Sequence, residues 1–135
     1  MSKALQLAGW SVIAVVACGL AHTAIAQEAE EAKPKHEIKQ VMRGAHVAPE
    51  GAKSLRDRVL AGEASQEEKH QLLDFYISLA ENKPPRGELA DFQKKTRAVV
   101  LAAAKIVVGR EGAANELRKA TTCGACHQDH KPPAE

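Results

Sequence analysis

Five residues near the end of the chain, Cys123-Gly124-Ala125-Cys126-His127, have the types and spacing for chemistry. Two thiols three positions apart, followed at once by an imidazole, form the C-x-x-C-H pattern of c-type haem attachment. In that pattern both sulfurs join the vinyl edge of one porphyrin as thioethers, and the histidine ligates the iron from the proximal side. A bound haem c supplies redox chemistry or gas binding that side chains alone do not. Two rival chemistries share these residues. Cys123, Cys126, His127 and His130 form a Cys2His2 set able to chelate zinc, and a C-x-x-C pair can be a disulfide or a redox couple. A disulfide closing so tight a loop restrains little chain entropy, and no βαβ pattern surrounds the pair. No nucleophile–base pair or phosphate-binding loop accompanies the motif, so hydrolytic and phosphoryl-transfer enzymology have no support. The expectation is a carrier or binding protein, not an enzyme.

The compartment bears on the choice. Residues 1–26 read as an export signal, with Lys3 as a minimal positive region and residues 5–16 mostly apolar. Ala24-Ile25-Ala26 then forms a small-x-small cleavage pattern ahead of Gln27. Gln6, Ser11 and His22 interrupt the apolar run, which falls short of the roughly 20 residues a membrane span needs. Val15-Val16-Ala17-Cys18 offers a second outcome, a lipoprotein box with Cys18 acylated. Either way the expected location is the periplasm, free or lipid-anchored. Lys3 is the only charged residue of that segment, so the rest carries 18 basic residues against 17 acidic. No basic block points to nucleic acid or an anionic membrane surface.

Those residues must be positioned by helices, because Val, Ile and Thr never alternate as in a strand. Residues 27–35, rich in Glu, Lys and Ala with Pro34, read as a flexible leader. The first helix is expected over about 36–47, with Ile38, Val41, Met42 and Ala45 on one face. Pro49 ends it. A short helical stretch over about 50–61 carries Leu55, Val59 and Leu60, and Gly62 stops it. Ser65-Gln66-Glu67-Glu68 is a capping box opening the second long helix, whose buried stripe is Leu72, Leu73, Tyr76, Leu79 and Ala80. Asn82-Lys83-Pro84-Pro85 closes it. A third helix is expected over about 87–108, and Gly109 breaks it. Its apolar positions are Leu89, Phe92, Thr96, Val99, Val100, Ala103 and Val107, with an alanine-rich stretch at 98–104. The fourth is expected to run unbroken over about 111–129 into the motif, and Pro132-Pro133 begin the tail of residues 132–135. Four amphipathic helices with one longer crossover predict an all-α, antiparallel four-helix bundle over residues 36–131. Phe75, Tyr76 and Phe92 are the only aromatic residues beyond the export segment. So ring-poor a core gains apolar bulk from a buried porphyrin.

A C-x-x-C-H on the last helix of such a bundle resembles the class II c-type cytochromes, the cytochrome c′-like family. Ile38-Lys39-Gln40-Val41-Met42-Arg43 is similar to that family's first helix, which presents a residue to the distal haem face. Phe92-Gln93-Lys94-Lys95-Thr96 is similar to its third. Lys131 matches the basic residue one turn beyond the proximal histidine. The resemblance implies one covalent haem on Cys123 and Cys126, with iron held by His127 and, from the distal side, Met42. That His/Met pair implies electron transfer with redox partner proteins. A Met42 that only packs over the metal implies five-coordinate iron open to NO or CO. Both readings remain open, as does a homodimer through the first two helices. His46, one turn beyond Met42, is a candidate replacement ligand. Ile38 stands where the family often has a propionate-binding arginine, with Lys39 beside it. His36 and His70 are expected at the surface.

Overall fold

A computed structural model of the protein describes residues 33–133. The expected export segment and most of the leader lie outside the described residues. Within them the fold is all-helical: α1 (Ile38–His46), α2 (Leu55–Leu60), α3 (Gln66–Glu81), α4 (Leu89–Val107), α5 (Ala113–Ala120) and α6 (Cys123–His130). No described helix is long and apolar enough to cross a membrane.

Local chemistry explains most of the boundaries. Ser65 Oγ accepts the Glu68 N–H at 3.2 Å, and Glu68 Oε2 accepts the Ser65 N–H at 2.8 Å, which is the capping box read from the sequence. Ser54 starts α2 in a related way, its Oγ accepting the Asp57 N–H at 3.1 Å. The crossover helix is therefore shorter than the periodicity of 50–61 implies. Helix α4 ends at Val107, and Gly109 follows with φ 73°, a left-handed turn that glycine takes without a Cβ clash.

The last helix is not continuous. Thr121 and Thr122 interrupt it between α5 and α6, with Thr122 extended at φ −67°, ψ 109°. Thr121 Oγ1 donates to the Leu117 carbonyl at 2.7 Å and Thr122 Oγ1 to the Lys119 carbonyl at 2.8 Å. Two adjacent hydroxyls bonding back to the preceding turn weaken helix continuation. Arg56, reaching from α2, donates from Nε to Thr121 Oγ1 at 2.8 Å and fixes the break. The consequence is positional: the cysteine motif opens a helix of its own.

The core lies where α3 and α4 pack along their lengths, with α5 packed on α4 and α1 on α3. Val41, Leu72, Tyr76, Phe92, Thr96 and Leu117 are among its fully or almost fully buried residues. Val41, Leu72, Tyr76, Phe92 and Thr96 lie on stripes expected from helical periodicity. Gln66 Nε2 donates to the Val107 carbonyl at 2.9 Å, so α3 starts where α4 ends and the two run antiparallel. Gly44 lets α1 approach closely, because a Cβ there would run into the Phe75 ring. His70 is exposed as expected. His36 is instead half-buried, stacked at a tilt on Phe75 with ring centres 5.0 Å apart and 3.5 Å from Asp74.

Candidate cofactor site

Helix α1 makes no helix-to-helix contact with α5 or α6. A cavity of about 750 Å³ separates them, floored by α3 and α4. That volume suits a bound small molecule of cofactor size. Cys123 and Cys126 lie three positions apart on α6 and so share one helical face. Both are free thiols, Cys123 exposed and Cys126 half-buried. Burial pushes the Cys126 thiol above the ordinary thiol range, outweighing the nearby Lys95 ammonium. His127 follows on the same helix and also lines the cavity.

From the opposite wall, α1 contributes Ile38, Lys39, Met42 and His46. Met42 is half-buried and packs against the core while lining the cavity. Every residue that the sequence singled out for haem binding, Cys123, Cys126, His127, Met42 and Lys131, therefore lines one space. The structure brings them together although Met42 and Cys123 are 81 positions apart in the chain.

The two ends of the cavity differ. One end is cationic: Lys39 on the first turn of α1, Lys83 just past α3, and Lys131 just past α6. Asn82 Nδ2 donating to the His36 carbonyl at 2.8 Å brings the start of α1 to the end of α3. The other end carries His46, Tyr76, Thr121 and Cys123. Tyr76 is fully buried, and its Oη lies 3.4 Å from His46 Nε2. Burial raises the Tyr76 phenol well above its usual range. Burial also lowers His46, and the charges of Arg56 and His127 push the same way. No carboxylate appears among the described residues lining the cavity. Apolar walls, paired thiols, a nearby imidazole and one cationic end together suit an apolar group with acidic substituents. A haem meets that description, its propionates being the acidic part.

His130 is not where the zinc reading needs it. It is buried, with Nδ1 3.2 Å from the Arg86 carbonyl and Nε2 3.0 Å from Asp91 Oδ2. Both ring nitrogens already have oxygen partners, and among the described residues the four-donor Cys2His2 set is not assembled. Asp91, Asp129 and His130 do converge. However, the Lys95 ammonium already bonds both carboxylates, at 2.7 Å each, and fills the place a metal cation would take. Those bonds raise the Lys95 ammonium, the Asp129 contact contributing most, and hold Asp91 below the usual carboxylate range.

Sequence reasoning missed the buried role of His130 and its partner Asp91, which are 39 positions apart. It also missed Ser54 as a cap, although Ser54-Leu55-Arg56-Asp57 carries a legible S-x-x-D signal. Comparison with known family models, curated proteins and solved structures returns no match for this chain.

Proposed function

We propose that this chain is a periplasmic class II c-type cytochrome, a four-helix bundle carrying one covalent haem c and acting as an electron carrier. The four long members are α1, α3, α4 and the broken pair α5–α6, with α2 in the crossover. The observation that carries this reading is the shared cavity, where Cys123, Cys126 and His127 on α6 face a wall containing Met42.

Haem c bound there would supply one-electron iron redox chemistry. The chain's own residues define the rest. Cys123 and Cys126 would hold the porphyrin edge as two thioethers. His127 would supply a ring nitrogen as an iron ligand from α6. Met42 would supply a thioether ligand from the facing wall, and a His/Met pair would raise the reduction potential. Lys39, Lys83 and Lys131 form the cationic end that suits propionates, in place of the arginine that Ile38 replaces. Phe92, Val99 and Leu79 give the floor of the cavity an apolar surface.

Expression of the full chain with a haem-maturation system tests the proposal. Covalent haem remains with the protein through acid–acetone extraction, and the ferric form is low-spin by EPR. A colourless product, with both sulfurs free, oxidised or holding zinc, defeats the reading. A high-spin ferric protein that takes up NO or CO retains the haem but replaces electron carriage with gas binding at five-coordinate iron.

A further inference from the structure

The motif helix has an unusual anchor. Among the eight residues of α6 the only buried side chain is His130, 3% exposed. A short helix ordinarily docks through an apolar stripe. Here Cys123 and His127 are exposed, and only the half-buried Cys126 packs partly against the core, while all three line the cavity. Helix α6 packs against α4 alone among the described helices. Its hold therefore depends on what His130 reaches.

His130 reaches a great deal. Its two ring nitrogens lie within hydrogen-bond distance of two oxygens, the Arg86 carbonyl at 3.2 Å and Asp91 Oδ2 at 3.0 Å. Its edge packs on the Phe92 ring, 5.3 Å between centres at 77°. The segment before α4 closes over it. Gly87 has φ 80°, and a Cβ there would lie 2.7 Å from both the Asp129 carbonyl and His130 Nδ1. Arg86 in turn donates from its guanidinium to the Gln128 carbonyl. Lys95 then ties Asp129 of α6 to Asp91 of α4.

We propose that His130 is a positioning residue: pinned to Asp91 and Arg86, it fixes α6 on α4 and thereby aims Cys126 and His127 into the cavity. Its functional consequence, though not the anchoring itself, rests on the haem reading above. His130 is one turn beyond His127, so a rotation of α6 about this pin carries the imidazole of His127 with it.

The decisive measurement uses the full chain prepared without haem. Alkylation of Cys126 by iodoacetamide is followed by peptide mass spectrometry, with the already exposed Cys123 as internal reference. His130→Ala is expected to speed Cys126 alkylation about tenfold or more, the scale of a lost charge-assisted hydrogen bond. The Cys123 rate and amide exchange in α3 stay as in the parent. His130→Gln, whose amide can donate to Asp91, recovers part of the protection. An unchanged Cys126 rate in His130→Ala overturns the proposal. Should that variant unfold α3 as well, Asp91→Ala provides the comparison, and an unchanged Cys126 rate there overturns it equally. On the haem-loaded chain, His130→Ala is expected to retain covalent haem while its ferric EPR signal splits into more than one proximal geometry. A single parent-like signal removes the aiming of His127 from the proposal. If the parent chain takes no haem, the alkylation result still judges the anchor, so the two failures are distinguishable.

Discussion

Helices α1 and α6 face each other across one cavity, yet they are held by opposite kinds of force. Helix α1 buries Val41 and Ala45 completely and lets Phe75 press against Gly44. Its hold is close apolar packing, which is non-directional and tolerant of small shifts. Helix α6 fully buries only a histidine, packs Cys126 partly against the core, and relies chiefly on hydrogen bonds and ion pairs with fixed geometry. The difference suits the chemistry proposed for each wall. A thioether needs only to be near the iron, whereas two thiols and an imidazole must meet one porphyrin at set angles. Directional contacts deliver angle; apolar packing delivers proximity.

The comparison breaks most completely at the cysteines. Replacing both, Cys123→Ser with Cys126→Ser, is expected to abolish covalent haem, read as loss of all colour after acid–acetone extraction. Met42→Ala, on the apolar wall, is expected to leave the attachment intact, turn the ferric iron from low to high spin and lower the reduction potential. EPR and potentiometry on the same sample check both outcomes. Retention of a low-spin signal would shift the distal role to His46, one turn along.

The two glycines sharpen the contrast. Gly44→Ala forces a methyl against Phe75 and is expected to cost about 1–3 kcal/mol of global stability, as overpacking does. Gly87→Ala puts a side chain at positive φ against His130 and is expected to cost a similar amount, about 1–3 kcal/mol. The distinction lies in where the loss appears. Denaturant melts register the first as a fall in midpoint, whereas amide exchange registers the second chiefly in α6.

Salt separates the walls further. At about 1 M salt the screening length shrinks to about 3 Å. The bridge from Lys95 to Asp129 should loosen, raising Cys126 alkylation a few-fold while amide exchange in α1 stays constant. The smallest expected effect is on pH. Burial lowers His46 in the folded chain, so below the ordinary value of 6.5 the unfolded chain takes up more protons than the folded one. This contribution to stability is present above that pH and is lost as pH falls through it. Thermal melts between pH 7.5 and 5 check it, and His46→Gln should flatten the profile.

Much of the architecture can be read along the chain. Periodicity places Val41 and Ala45, Leu72 and Tyr76, and Phe92, Thr96 and Val99 on inward faces, and all are buried. The capping box at Ser65 and the stop at Gly109 are local chemistry, complete within a few residues. The break at Thr121 is less legible. A single threonine inside a helix is common, and what fixes this one is Arg56, 65 positions away.

What the sequence by itself determined is whatever depends on near neighbours: the helices, their inward stripes, and a C-x-x-C-H motif with its thiols on one helical face. Spacing along a helix converts directly into direction, so those features need no partner. The tertiary structure alone decided the cavity between α1 and α6, its cationic and histidine ends, and the burial of His130. The pairing of His130 with Asp91, like that of Lys95 with Asp129, joins residues more than thirty positions apart. Such pairs form only once the core has fixed both helices, because a hydrogen bond exists only where the two groups meet within about 3 Å and in line.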